Sequence, residues 1–200
     1  MTNYMNNSRK ELFYQTKKKY ILEAAFELFK EKGVEDTGMG EIAKASDYTR
    51  ASIYKYFKSK DDICLQVVLE YGRASEAQIA AMAKEESPLN KVRAWGEALY
   101  HYGKAHPHYI EIMAYLDYRG LRPDRISPEA YANYDTENLE MVKIFREIFH
   151  QGVVDGTIDS TLDMDISISQ YSYTLRRIID RSIKSTYSFS DINSDEYFAH

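Results

Sequence analysis

The stretch Ile42–Lys60, IAKASDYTRASIYKYFKSK, decides how this chain is read. It predicts two short helices separated by a tight turn at Ser46 and Asp47, the second running from a Thr49 cap to about Tyr56. That second helix carries Thr49, Arg50, Ser52, Tyr54, Lys55 and Tyr56, nearly all polar, basic or phenolic. A short helix dense in hydrogen-bond donors, held by an apolar partner, suits the major groove of DNA.

Upstream, Ile21, Ala24, Ala25, Leu28 and Phe29 follow the spacing of one buried helix face. Lys30 and Lys32 fall in the last turn of that helix, and Gly33 is placed to end it. Thr37 is positioned to cap the helix holding Ile42 and Ala43. Downstream, Ser59 followed by Asp62 is a near capping box that opens a long fourth helix through Leu65, Val68 and Leu69 toward Met82. Pro88 starts a helix to about His106, and Pro107 separates it from a segment with Ile110, Met113 and Leu116. Gly120, Pro123 and Pro128 bracket a loop before a helix carrying Leu139, Val142, Phe145, Ile148 and Phe149. A last helix is expected from about Asp163 to Ser185. No repeat and no convincing strand emerges, so the expected fold is all-α.

Charge separates the two ends of the chain. Residues 1–60 hold 12 Lys and Arg against 8 Asp and Glu, net +4, while residues 61–200 hold 14 against 23, net −9. A basic tip on an acidic body is the asymmetry expected when one end meets phosphate. The single cysteine, Cys64, excludes an internal disulfide and supplies no metal framework. The N-terminus lacks the apolar core of a secretory signal, and no apolar run reaches the roughly 18 residues of a membrane span. A cytoplasmic protein without membrane attachment, cofactor or metal is expected.

Turn and spacing together resemble the DNA-binding domain of the TetR family of bacterial transcriptional regulators. The resemblance runs over residues 17–60: the apolar helix ending at Gly33, Thr37 ahead of the second helix, Ile42-Ala43-Lys44-Ala45-Ser46, Ser52-Ile53-Tyr54, Tyr56-Phe57 and Lys58-Ser59-Lys60-Asp61. Many members have Gly at the turn where Asp47 stands, and Asp accepts left-handed backbone better than most residues. The resemblance implies a three-helix helix-turn-helix domain, residues 9–58, joined through the long fourth helix to a ligand-binding and dimerisation domain, residues 59–200. It places Thr49, Arg50, Ala51 and Ser52 at the N-terminal end of the recognition helix. Arg50 and Lys55 are candidates for base edges, Arg to guanine being the commonest specific pairing. Thr37, Thr49, Tyr54, Tyr56 and Lys60 are candidates for phosphate, which fixes register without reading sequence. Ile53 and Phe57 read as core, and Lys17, Lys18 and Lys19 as a solvated face.

A recognition helix of about eight residues is only about 12 Å long. A homodimer reading half-sites about 34–36 Å apart on a roughly palindromic double-stranded operator gains the missing specificity. In the body, the resemblance implies a small-molecule effector, and the residues themselves point to an aromatic or amphipathic one. Trp95, Tyr102, Met113, Tyr118, Tyr134 and Tyr171 are the candidate ligand-binding residues, since phenols offer apolar faces and orienting hydroxyls. Glu97, Glu111 and Asp117 are candidate selectors of a cationic ligand, with solvated carboxylates as the plainer account. Gly96 and Gly103, seven apart on one helix face, leave room for a ligand or a close helix. His106 and His108 read as helix-junction residues rather than metal ligands. A late stripe of Ile168, Tyr171, Leu175, Ile178 and Ser182 fits the family's dimer interface, with only a stub after Ser194 for a further helix.

The expected function is therefore a ligand-responsive transcriptional repressor. A constitutive DNA-binding protein is the alternative; a small helical enzyme is disfavoured, because no nucleophile sits beside a base and no phosphate loop is present.

Overall fold

The computed structural model describes residues 2–184, with side chains from Arg9 onward. The described residues form α1 (Thr2–Lys32), α2 (Met39–Ala45), α3 (Arg50–Ile53), α4 (Lys60–Tyr71), α5 (Ala74–Met82), α6 (Pro88–Ala105), α7 (Pro107–Arg119), α8 (Pro128–Asp155) and α9 (Met164–Lys184). The architecture is all-α, and none of these helices is long and apolar enough to cross a membrane.

Local chemistry sets most boundaries. Gly33 ends α1 at φ +85°, and its N–H donates to the Phe29 carbonyl at 3.0 Å. Ser87 and Ser127 cap α6 and α8, each followed by a proline in the first turn, where the missing N–H costs nothing. Ser59 caps α4 as expected, accepting from the Asp62 N–H at 3.2 Å. The Asp62 carboxylate reaches one residue farther back than a capping box requires and accepts from the Lys58 N–H at 2.8 Å.

Three expectations are corrected. Gly38, not Thr37, is the N-cap of α2; the Thr37 hydroxyl donates instead to the Gly33 carbonyl at 2.7 Å. Regular helix in α3 stops at Ile53, and Tyr54–Tyr56 continue as a tighter turn in which the Tyr56 N–H donates to the Ile53 carbonyl at 2.9 Å. The fourth helix does not run on to Met82, because Gly72 takes an extended ψ of 134° and α5 begins anew at Ala74. A Cβ at Gly72 would stand 2.7 Å from the Tyr109 ring, so the break admits the Tyr109 side chain against the helix end. The last helix ends its described course at Lys184, with Ser185 and the stub after Ser194 outside the described residues.

Two apolar clusters hold the helices. The first joins Ile21, Ala25 and Phe29 of α1, Ile42 of α2, Ile53 and Phe57 to α4, and continues into Ile112, Tyr115 and Leu116 of α7 and Ile126. The second joins Trp95, Leu99 and Tyr100 of α6 to Ile110, Phe145, Ile148, Leu175 and Ile179. Gly96 and Gly103 turn out to admit a close helix: a Cβ at Gly103 would lie 2.8 Å from both Ile110 and Ile179, and one at Gly96 would collide with the Tyr171 hydroxyl. The expected α9 stripe is consequently divided. Leu175 of the stripe and Ile179 beside it are spent inside the chain, whereas Ile178 of the stripe faces outward, as does Ile166 outside it.

Candidate nucleic-acid interface and effector cavity

The turn between α2 and α3 is made by local hydrogen bonds. Buried Ser46 donates its hydroxyl to the Ile42 carbonyl at 2.7 Å, and the Tyr48 N–H donates to the Ala43 carbonyl at 2.8 Å. Asp47 between them sits at φ +58°, the one non-glycine with positive φ among the described residues. Thr49 then caps α3, its hydroxyl accepting from the Ser52 N–H at 3.1 Å and pairing with the Ser52 hydroxyl at 2.9 Å. With Ile53 and Phe57 buried below, Thr49, Arg50, Ala51, Tyr54 and Lys55 are all left exposed. No acidic residue occurs from Tyr48 to Lys60. Arg50 lies over the Tyr54 ring at 5.9 Å, with Nη2 3.4 Å from the phenol oxygen, so the two make one projecting unit. Such a face can offer a guanidinium to a base edge and hydroxyls and an ammonium to phosphates.

The other predicted contacts separate from this face. Tyr56 is half-buried, its ring 4.9 Å from Tyr14 and 6.4 Å from Tyr48. Thr37 is only 1% exposed and its hydroxyl is already committed to Gly33. Lys60 points inward as well: its ammonium donates to the Val34 carbonyl at 2.8 Å and the Glu35 carbonyl at 3.3 Å, and lies 5.0 Å from the Tyr115 ring. Thr37 therefore closes the α1–α2 loop on itself, and Lys60 fastens that loop to α4. Lys18, grouped with a solvated face, is buried and pairs with Glu129 at 3.1 Å.

A cavity of about 520 Å³ opens among α4, α5, α6, α7, α8 and α9, a volume suited to a small organic ligand. Of the six predicted ligand residues, it brings together Trp95, Met113 and Tyr134. Tyr171 stands behind the wall, 5.4 Å from the Trp95 ring. Tyr102 is a structural clip, its hydroxyl accepting from the Arg73 N–H at 2.8 Å and its ring 5.2 Å from Tyr109. Tyr118 is 82% exposed and does not line the cavity, because its position on α7 faces away from the core that Tyr115 and Leu116 enter. The proposed acidic selectors also lie elsewhere. Glu111 accepts from the Val34 N–H at 3.3 Å, and Asp117 holds Arg176 through contacts of 2.8 and 3.2 Å.

Tyr109 and Glu137 also line the cavity, together with Arg176, which sequence reasoning missed. Burial pushes the Tyr109 phenol well above its ordinary value, with Arg176 opposing. Burial works against the Arg176 charge, but the hydrogen bonds and charge of Asp117 outweigh it and leave the guanidinium more firmly protonated. The available signal was spacing. Arg176 follows Ile168 and Ser172 at helical intervals of four, which puts it on the same inward-leaning face.

A second missed group joins α4 to the far side of α7. Buried Asp61 accepts from the Tyr115 hydroxyl at 2.9 Å, from Arg119 Nε at 3.1 Å and from Arg125 Nη1 at 3.3 Å. Next to it, Asp62 accepts from the Gln66 amide at 2.8 Å and the Ser127 hydroxyl at 2.9 Å, while the Ser59 hydroxyl donates to the Arg125 carbonyl at 2.8 Å. Two successive acids at the head of an otherwise apolar buried run were the sequence signal for this latch.

Comparison with known proteins follows the same division. The family model described as bacterial regulatory proteins, tetR family, matches residues 21–67. The HTH-type transcriptional regulator AcrR of Shigella flexneri is 37% identical over 81 residues, covering 40% of this chain and 38% of that protein. The HTH-type transcriptional repressor KstR2 of Mycolicibacterium smegmatis is 25% identical over 152 residues, covering 73% of this chain and 69% of that protein. At the level of fold, transcriptional regulator FadR from Bacillus subtilis, solved in complex with stearoyl-CoA, aligns with a TM-score of 0.58 at 19% identity over 90% of this chain and 95% of its own. Residues 21–67 thus match the tetR family of bacterial regulatory proteins over the helix-turn-helix, and the chain is similar to regulators of that family beyond it.

Proposed function

We propose that this transcriptional regulator is a ligand-responsive repressor, a cytoplasmic homodimer that leaves a roughly palindromic operator when a small molecule occupies the cavity. Residues 9–58 are the reader and residues 59–200 the effector-binding and dimerising body. Arg50 and Lys55 read base edges; Thr49, Ser52 and Tyr54 hold phosphate, and Ala51 lets the backbone come close.

One observation carries the coupling. Helix α7 lines the cavity with Tyr109 and Met113, and within two turns holds the head of α4 with Tyr115 and Arg119. A ligand that displaces α7 therefore acts on Asp61, one residue into α4 and directly behind the reader. Release requires the ligand to bind the DNA-incompetent arrangement more tightly, since equal affinity for both shifts nothing. The outward residues Ile166 and Ile178 of α9 supply apolar surface for a second copy.

Repression by a KstR2-named relative and stearoyl-CoA in a FadR neighbour support a small-molecule-controlled repressor. The test begins with operator DNA selected from a random pool. Binding should weaken steeply with salt, with a log–log slope of about 0.9 per neutralised phosphate. Compounds, acyl-CoA thioesters among them, are then screened for release. A specific operator that no compound releases would leave constitutive binding as the function. A monomer by light scattering at micromolar concentration would remove the homodimer.

A further inference from the structure

The cavity's charges are unequally answered. Arg176 is neutralised where it stands by the two-point contact from Asp117. Glu137, on the rim, has no hydrogen bond or ion pair among the described residues. Its carboxyl is raised above the ordinary range by burial, with Arg73 opposing and Glu140 and Glu76 adding to the rise. Arg73 itself is held by Glu76 at 3.2 Å. An anionic ligand head entering here meets Glu137, with Glu140 and Glu76 close enough to act on it, while the guanidinia of Arg73 and Arg176 are already paired. A cationic head meets the reverse.

The interior favours the same sign. Trp95 and Phe145 meet edge to face at 5.2 Å, and the rings of Tyr109, Tyr134 and Tyr173 complete an aromatic lining. Aromatic faces attract cations, more strongly as water is removed, and have no comparable attraction for carboxylate or phosphate. Apolar walls from Leu99, Met141 and Val142 take up a hydrocarbon body.

From the unanswered carboxylate and the aromatic lining, we infer that the cavity takes a hydrophobic monocation, an amine or ammonium on an apolar body, with its charge at Glu137 and its body against Trp95 and Phe145. The inference rests on reading this cavity as the effector site.

Trp95 is the chain's single tryptophan and lies in the cavity wall, so its emission reports occupancy directly. Decyltrimethylammonium and decanoate, below their micellar concentrations, present the same tail with opposite heads. The cation should change Trp95 emission saturably and bind at least tenfold more tightly than decanoate. Glu137→Gln should sharply reduce that preference, and Glu137→Lys should reverse it; the position is at the rim, away from the packed core. Decanoate binding as tightly as the cation, or a preference unchanged in Glu137→Gln, overturns the inference. Operator binding is measured on the same samples. Cation binding that leaves operator affinity unchanged supports the ligand assignment while ending the ligand-responsive reading. Release by an anionic compound, with no cation binding, does the opposite.

Discussion

Arg50 and Asp47 show how much a single residue can be asked to do here. Arg50 is exposed, leans on Tyr54 and lies on a face without acids, so Arg50→Ala is expected to cost about 1–3 kcal/mol of specific binding if it makes a two-point base contact. Competition between selected and scrambled operators measures this, and unchanged discrimination would withdraw its base-reading role. Asp47 holds φ +58°, which a short polar side chain tolerates and a β-branched one does not. Asp47→Val should lower stability by about 1–3 kcal/mol, whereas Asp47→Gly should be close to neutral; thermal melting of the two variants decides it. The sequence revealed Thr49's cap, the buried Ile53 and Phe57, and the outward Arg50 and Lys55, because each follows from spacing within a few residues. It did not reveal the intramolecular bonds of Thr37 and Lys60. Their hydroxyl and ammonium find carbonyls in the α1–α2 loop, partners 4 and about 25 residues away whose positions depend on the packed domain.

Between helices, the Asp61 latch and the α6–α9 contact are the most informative joints. Asp61→Asn keeps an acceptor for Tyr115 but removes the charge that Arg119 and Arg125 face. A loss of about 1–3 kcal/mol is expected by chemical denaturation. Arg122→Ala, which breaks only an exposed pair with Asp124, should stay within about 0.5 kcal/mol. If both variants behave alike, the latch holds nothing. At the second joint, Gly103→Val places carbon where Ile110 and Ile179 already lie, and overpacking of this kind costs about 1–3 kcal/mol. Helix existence was legible almost throughout, from apolar periodicity and from proline and glycine punctuation. The fourth helix was overextended because nothing near Gly72 announces a break. The reason for the break, the Tyr109 ring, comes from a helix more than thirty residues downstream. Assignment of the cavity lining failed in the same way for Tyr118, since on an amphipathic helix a turn of one position separates wall from solvent.

For the molecule as a whole, buried phenols set an alkaline limit. Burial raises Tyr71 to about 12 from its ordinary value near 10, and raises Tyr109 and Tyr115 as well. A phenol with a raised native value favours folding fully below the unfolded value, and that contribution is lost as pH climbs through the native one. Stability should therefore fall between about pH 10 and 12. Tyr71→Phe, which also removes a buried hydroxyl without a partner, should soften the fall; an unchanged alkaline profile would remove Tyr71 as a contributor.

The first apolar cluster has a consequence for how such a regulator can be rearranged. Phe29, Ile42, Ile53 and Phe57 of the proposed reader share one interior with Ile112, Tyr115, Leu116 and Ile126 of the proposed body. A graft that moved residues 9–58 onto a foreign body would carry only half of that interior and expose the rest to water. New DNA specificity is more readily acquired by exchanging the outward residues of α3 one at a time than by shuffling whole modules. The seam along which this protein divides its labour is not a seam along which it can be cut.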